Sequence, residues 1–477
     1  VERPVSDVAF LSAWSACAAA ATRDALSPAA MLQARRSWVD TAAAMLGGTR
    51  ERGTTSVVRA CLAVDAGQPL RPWDDALVLG TAAHALDYDD VCMLATCHPS
   101  APVVAALLAL LPVVETSRPA LRFDQMLGAY LVGTETMLRL GEWLGFRHYA
   151  LGFHATGTLG VVGAAAACAH ALDLPETQAR AALAIAASSA GGLRANFGTD
   201  TKPLHVGLAA SAAVRAVLLA RAGANASDDV WGEQGFALAF GGGVPPAGPV
   251  WRAGGPWAIE SPGFEHKRFP SCYLTHRLVA GLLRLREGHG GHEGHEAGQG
   301  EPSWSIDVEL PKNGLAALKY TSPTTGLQGK FSGEYCAAAA WHDGSLGLGS
   351  FTDQAVRRPA VRALMERVTL RERDGVDERL DHAPVRVRVR RGRTEESVVV
   401  DWAPGSLADP MSAHDLKAKW RDCACHAGVD AGTAVADALF DAFADRPASG
   451  VFGPLRSLLL VCAGVSGAVP TLTGADS

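Results

Sequence analysis

The stretch HVGLAASAAVRAVLLARAG, His205–Gly223, sets apolar residues at helical spacing and ends on glycine, the residue that most readily closes a helix. Just upstream, TQARAALAIAASSAGGL (Thr177–Leu193) repeats the pattern. Working outward, the chain reads as helix after helix from its start to about residue 260, and its many alanines and glycines let such helices approach closely. After Gly263 the period changes. SWSIDVEL (Ser303–Leu310) and RVTLRERD (Arg367–Asp374) read as strands. VRVRVRRGRTEESVVVDW (Val385–Trp402) alternates valine with arginine, turns and runs back, which describes a hairpin with valines inward and arginines in water. From about Pro404 helix returns, in SAHDLKAKWRDC (Ser412–Cys423) and DALFDAFAD (Asp437–Asp445). The expected fold is mainly α: a large all-helical domain built from both chain ends, residues 1–263 and 404–477, with a smaller α+β lid domain, residues 264–403, inserted between.

At 477 residues the chain is too long for one core, and 48% hydrophobic against 19% charged residues describes a soluble globular protein. A net charge of -6 argues against a nucleic-acid partner. The 10 cysteines are scattered, and Cys17, Cys61, Cys168 and Cys336 sit in apolar runs, so free thiols in a reducing cytoplasm are expected. VAFLSAWSACAAAA has the apolar body of an export signal, but Glu2 and Asp7 spoil its basic leader. APVVAALLALLPVV (Ala101–Val114) contains Pro112 and is too short to span a bilayer, so no membrane role is expected. Glycine and glutamate dominate REGHGGHEGHEAGQGEP (Arg286–Pro302), and its His289, His292 and His295 read as surface loop rather than metal site. CAC at Cys423–Cys425 has no second pair at zinc spacing.

Four polar clusters interrupt the apolar text. In HALDYDDVCMLATCHPSAP (His84–Pro102) acids pile up before His98; a helix running through them puts Asp87 and Val91 on one face and His98 in the following loop. FRHYALGFHATGTLG (Phe146–Gly160) places Tyr149 and His154 before a helix start whose free N–H groups suit an anion such as a carboxylate. NFGTDTKPLHVG (Asn196–Gly207) sets Lys202 ahead of Pro203 and a new helix; taken singly, Lys202 reads as a surface lysine. KRFPSCYLTHR (Lys267–Arg277) follows a helix-breaking SPGF. A lysine serves as a base only where burial or a neighbouring cation favours its neutral form, and His266 and Arg268 flank Lys267. No phosphate loop or dinucleotide fingerprint appears. Lysines, histidines, a tyrosine and an acid without a metal set suit proton abstraction beside a carboxylate.

HALDYDD…HPSAPVVAALLAL, GFHATGTLGVVGAAAACAHALDL, TKPLHVGLAA, KRFPSCYLTHRLVAGLL and GKFSGEYCAAAAWHDG together resemble the MmgE/PrpD family, in the correct order over almost the whole chain. The family includes 2-methylcitrate dehydratase, cis-aconitate decarboxylase and iminodisuccinate epimerase. The resemblance implies a cytosolic homodimer acting on a small di- or tricarboxylate with no metal and no organic cofactor. It further implies functional groups at Asp87, His98, His154, Lys202, Lys267 and Tyr320. Two positions depart from the decarboxylase-like pattern: Val91 stands for a threonine, with the spacing to His98 one residue longer, and Cys272 stands for a histidine. PSCY, RHYALGFH, NFGTDTKPLH, PWAIESPGF and APGSLADPM look closest to the iminodisuccinate-epimerase-like branch, in which Tyr149 and Lys267 would face one substrate carbon from opposite sides. The expected catalytic set is Lys267, Tyr149, His98, His154 and Asp87, with Lys202, Cys272, Tyr320 and Arg268 binding substrate. Epimerisation is expected first, dehydration is the alternative, and decarboxylation or a non-catalytic carboxylate-binding dimer stands behind both.

Overall fold

Alanine and glycine crowd the first half of the chain, and there the backbone is helical. In this computed structural model the described residues are 7–21, 26–64, 69–119, 121–232, 235–243, 255–288, 304–374, 380–429, 437–438, 440–441 and 451–465. The helices in order are α1 (Asp7–Ala20), α2 (Pro28–Gly48), α3 (Arg52–Val64), α4 (Pro72–Ala85), α5 (Ser100–Ser117), α6 (Phe123–Ala150), α7 (Ala155–Ala171), α8 (Glu176–Ala187), α9 (Thr201–Arg221) and the short α10 (Phe236–Phe240). Gly223, just past α9, takes a φ of 100°, the left-handed stop that the sequence announces. The chain is mainly helical and divides into two units. One comprises Val1–Asn196, Asp200–Phe264 and Ser412–Ser477; the other comprises Phe197–Thr199 and Glu265–Met411.

Within the first unit α4 packs along α9, α6 along α7, and α2 against α4 and α16 (Ala413–His426). Small residues set the closest crossing. A Cβ placed on Gly80 of α4 would lie 2.8 Å from the Cα of Gly207 in α9, and one on Gly207 would collide with the Leu77 carbonyl and the Thr81 hydroxyl. Glycine is the residue that lets two backbones meet there. Around this crossing Val78, Leu79, Ala82, Val206, Ala210 and Val214 are fully buried. The apolar run expected to be too short for a bilayer continues through Pro112 to Ser117. By length and composition α5 and α9 are both long enough to cross a membrane, although 72% and 67% of their apolar windows are buried inside the structure.

The second unit is α+β. Its helices are α11 (His276–Gly288), α12 (Gly326–Gly329), α13 (Gly333–Asp343), α14 (Asp353–Val356) and α15 (Pro359–Met365). Its sheet has the order β2 (Val368–Glu372), β1 (Trp304–Leu310), β3 (Val385–Arg391), β4 (Thr394–Val400). The hairpin expected from the alternating valines is β3–β4, with Val387 opposite Val398 and Arg390 opposite Glu395. Val385, Val387 and Val389 are buried, and α11 covers this face. β1 pairs antiparallel with β3 and parallel with β2. In the C-terminal part, SAHDLKAKWRDC forms α16, and a last helix spans Phe452–Cys462. The His289–His295 stretch lies outside the described residues, as does most of the second tail helix expected from sequence. All ten cysteines are free thiols.

Candidate active site

The segment joining α4 to α5 carries the first polar cluster, and it is not helical. α4 ends at Ala85 and Asp87 adopts a left-handed φ of 52°, so the reading that put Asp87 and Val91 on one helical face is corrected. The left-handed region costs a side-chain-bearing residue about 1–2 kcal/mol, least for Asp and Asn, so an aspartate ends the helix where glycine commonly would. A short bridge follows, with Cys92 N–H donating to Cys97 O at 2.9 Å and Cys97 N–H to Cys92 O at 3.2 Å. It returns the chain to His98 at the foot of α5. Asp90 accepts from the Ser100 N–H at 3.2 Å and from its hydroxyl, and that hydroxyl contacts Tyr130 at 2.7 Å. Asp87, Asp89 and Asp90 therefore face three different environments.

Asp87 pairs with Lys202 of α9, Nζ to Oδ1, at 2.6 Å, and both are buried. The surface lysine expected from Lys202 taken alone is corrected, because α9 turns its first residues inward against α4. Asp89 is shared by two imidazoles: its Oδ2 lies 2.8 Å from Nδ1 of His84 and 3.2 Å from Nδ1 of His98. His98 Nε2 is 3.8 Å from Asp87 Oδ1. The N–H of His98 donates to Thr156 Oγ1 at 3.1 Å, tying the loop to α7. His154, the residue before α7, stacks on His84 with ring centroids 5.5 Å apart, and its Nδ1 is 3.1 Å from Nδ1 of His205. His154 is held by its own N–H, which donates to Gly192 O at 3.0 Å. Thus Asp87, His98, His154 and Lys202 do come together, through two partners that sequence reasoning passed over, His84 and Asp89. His205 was passed over too, though it lies three residues after Lys202 on the same helix face, a spacing that marks neighbours.

Charge is sharply partitioned. Burial pushes His84 down to about 3 and holds His154 well below the usual imidazole range, with Lys202 adding to both. Burial and then Lys202 bring His205 down to about 4. These rings are neutral at pH 7. For Asp89, burial favours the acid, but the facing His84 and His98 outweigh it and hold the carboxyl well below its usual value. Its charge keeps a proton on Nδ1 of each ring and leaves Nε2 as the basic nitrogen. Of two neutral rings facing through Nδ1, one donates and the other accepts. His154 and His205 therefore present one protonated and one bare Nε2 between them, a matched proton donor and acceptor. His84, Asp87, Asp89 and His98 also offer ligand atoms within 4.8 Å of one another, a donor set that a divalent ion accepts. The Lys202 ammonium already supplies the positive charge beside Asp87 and would oppose a second cation there.

Tyr149 is buried in the last turn of α6. Its carbonyl accepts from Arg194 Nη1 at 2.7 Å, and the Arg194 guanidinium lies 3.7 Å over its ring. Arg194 was not expected from sequence. The remaining four candidates belong to the second unit. Lys267 is buried and Arg268, at the bend that follows, is exposed. Cys272 is buried, its N–H donating to Lys330 O at 2.9 Å. The Tyr320 hydroxyl donates to Phe197 O at 3.0 Å.

Comparison with known proteins adds the following. The family model of the MmgE/PrpD N-terminal domain matches residues 13–248, and that of the MmgE/PrpD C-terminal domain matches residues 269–440. The cis-aconitate decarboxylase of Homo sapiens is 31% identical over 365 residues, covering 74% of this chain and 74% of that protein. The cis-aconitate decarboxylase of Mus musculus is 30% identical over 365 residues, covering 74% of this chain and 72% of that protein.

Proposed function

The chain belongs to the MmgE/PrpD family of carboxylate-acting enzymes, and from that premise we propose that it moves the proton α to a carboxylate. The substrate is a small di- or tricarboxylate, and the reaction is an epimerisation of the iminodisuccinate type. One observation carries the reading: a buried ammonium–carboxylate pair, Lys202 with Asp87, set among imidazoles that burial keeps neutral. Removing an α proton builds charge on the carboxylate oxygens. A preorganised cation and N–H donors in a dry site stabilise that charge without reorganising. Neutral imidazoles then give or take protons without adding a fixed charge that would hold the ground state too tightly. Lys267 and Tyr149 are assigned the removal and return of the proton, and His98 and His154 the oxygens.

A second reading, a decarboxylase, is favoured by the names of the two relatives. It meets Val91 and Cys272, the positions that depart from the decarboxylase-like pattern. A hydro-lyase would use the same abstraction followed by loss of a β-hydroxyl. Incubation with a panel of di- and tricarboxylates in deuterated water, with C–H exchange followed by NMR and with chirality, absorbance and carbon dioxide release measured alongside, separates all three. Recovered substrate of inverted chirality marks the epimerase, new C=C absorbance the hydro-lyase, and released carbon dioxide the decarboxylase. Lys267→Met is expected to abolish C–H exchange, and Lys202→Met to slow it about 10²–10³-fold. Wild-type protein that exchanges no α proton on any of these acids overturns the proposal.

A further inference from the structure

Lys419 lies on α16, far along the chain from every residue of the cluster, and is buried. Its Nζ donates to Asp40 Oδ1 of α2 at 2.6 Å and to the carbonyl of Tyr88 at 2.6 Å, and it sits 3.9 Å over the Tyr88 ring. Tyr88 is the residue between Asp87 and Asp89. The ammonium therefore grips the carbonyl of the one residue that separates the two site carboxylates. Tyr88 follows a left-handed residue, Asp87, and such a conformation persists only where its surroundings over-determine it. Stability alone is a weak reason for the arrangement, since replacing a buried ion pair by well-packed apolar side chains of similar volume is often neutral or stabilising.

We propose that Lys419 is a positioning residue: through the Tyr88 carbonyl it sets the Asp87–Lys202 pair and the reach of Asp89 to His84 and His98. The inference rests on the reading that these groups serve proton transfer. Asp87 and Asp89, the two neighbours of Tyr88, make these contacts: 2.6 Å for Asp87–Lys202, 2.8 Å for Asp89–His84 and 3.2 Å for Asp89–His98. Outer-shell groups that orient metal ligands carry about 10–100-fold of activity, and a loss of the same order is expected for a group that orients proton-transfer residues.

The test uses Lys419→Met and the double variant Asp40→Asn/Lys419→Met, in which no buried carboxylate is left without its cation and folding is protected. With Val308→Ala, a core change in the sheet, as a stability-matched control, α-proton exchange is measured on the full chain. Amide hydrogen exchange of the peptide covering residues 86–99 is followed by mass spectrometry. The expected result for the double variant is a kcat about 10–100-fold lower with KM within about twofold, and faster amide exchange confined to that peptide. A folded double variant with wild-type kcat and unchanged amide exchange overturns the inference, as does an equal loss in Val308→Ala. If wild-type protein exchanges no substrate proton, the functional reading fails, and the amide exchange of residues 86–99 still decides whether Lys419 holds the loop.

Discussion

Asp90 holds its proton because little around it balances a charge. Burial first, then Asp40 and Asp89, push its pKa from 3.8 up to about 8, against the hydrogen bonds from Ser100. A raised carboxyl pKa means the folded chain binds a proton that the unfolded chain has released. Stability from this group is therefore full below pH 3.8 and is lost as pH rises toward about 8. Asparagine has the shape of the protonated acid and keeps the contacts to Ser100. Asp90→Asn is expected to melt above wild type at pH 8, with the gap closing toward pH 4, a range that thermal melts cover. A gap that widens toward acid would put the proton elsewhere. A separate test concerns the cation. Lys202 beside Asp87 disfavours a divalent ion in the cluster, so dialysis against EDTA should leave C–H exchange unchanged, and stoichiometric metal lost together with activity would contradict this. At this scale local setting drew attention to the clusters holding Asp87, His98, His154 and Lys202, but Lys202 taken singly read as a surface lysine, and it was the family resemblance that implied functional groups at these four positions. Asp89 and Asp90 read alike in a run of acids, and only their partners, two imidazoles against a hydroxyl, separate an ionised group from a protonated one.

Helix α4 shows what a pattern reading misses at the level of elements. HALDYDD contains neither glycine nor proline, so nothing in it announces a stop, and the left-handed aspartate ends the helix unadvertised. The hairpin was easier, because alternation of period two in water-facing arginine and inward valine leaves one register. Its neighbours were not: β1 lies between β2 and β3, and the parallel pairing with β2 comes from chain well downstream. The hairpin's two faces are expected to respond differently. Val387→Ala, at a fully buried position, should lower stability by roughly 1–3 kcal/mol. Arg390→Ala, which removes an exposed pair with Glu395, should leave the chemical-denaturation midpoint where it was. Equal losses would mean that the charged ladder, not the valine face, holds this sheet.

Over the whole molecule, period and composition made the mainly helical plan legible, together with the return of helix near the end, because both are local properties summed along the chain. Pairings such as Lys419 with Asp40, 379 residues apart, have no local trace, and a lysine in SAHDLKAKWRDC reads like any other on an amphipathic helix. The crossing of α4 and α9 has one more consequence. Asp87 follows α4 and Lys202 begins α9, so the spacing of those two helices acts as a gauge block for the distance between an acid and its cation. Two glycines, each without a methyl group, set the thickness of that block. Gly207→Ala would add one carbon at the helix crossing and force the helices apart against the Leu77 carbonyl. The expected signature is a lower exchange rate alongside a lower melting temperature, with Lys202 displaced from Asp87; an alanine variant of unaltered rate would show that the loop, not the helix pair, takes up the slack. Positions 80 and 207 would then vary in step with the chemistry while touching none of it, like the machining tolerance of a part that never meets the workpiece.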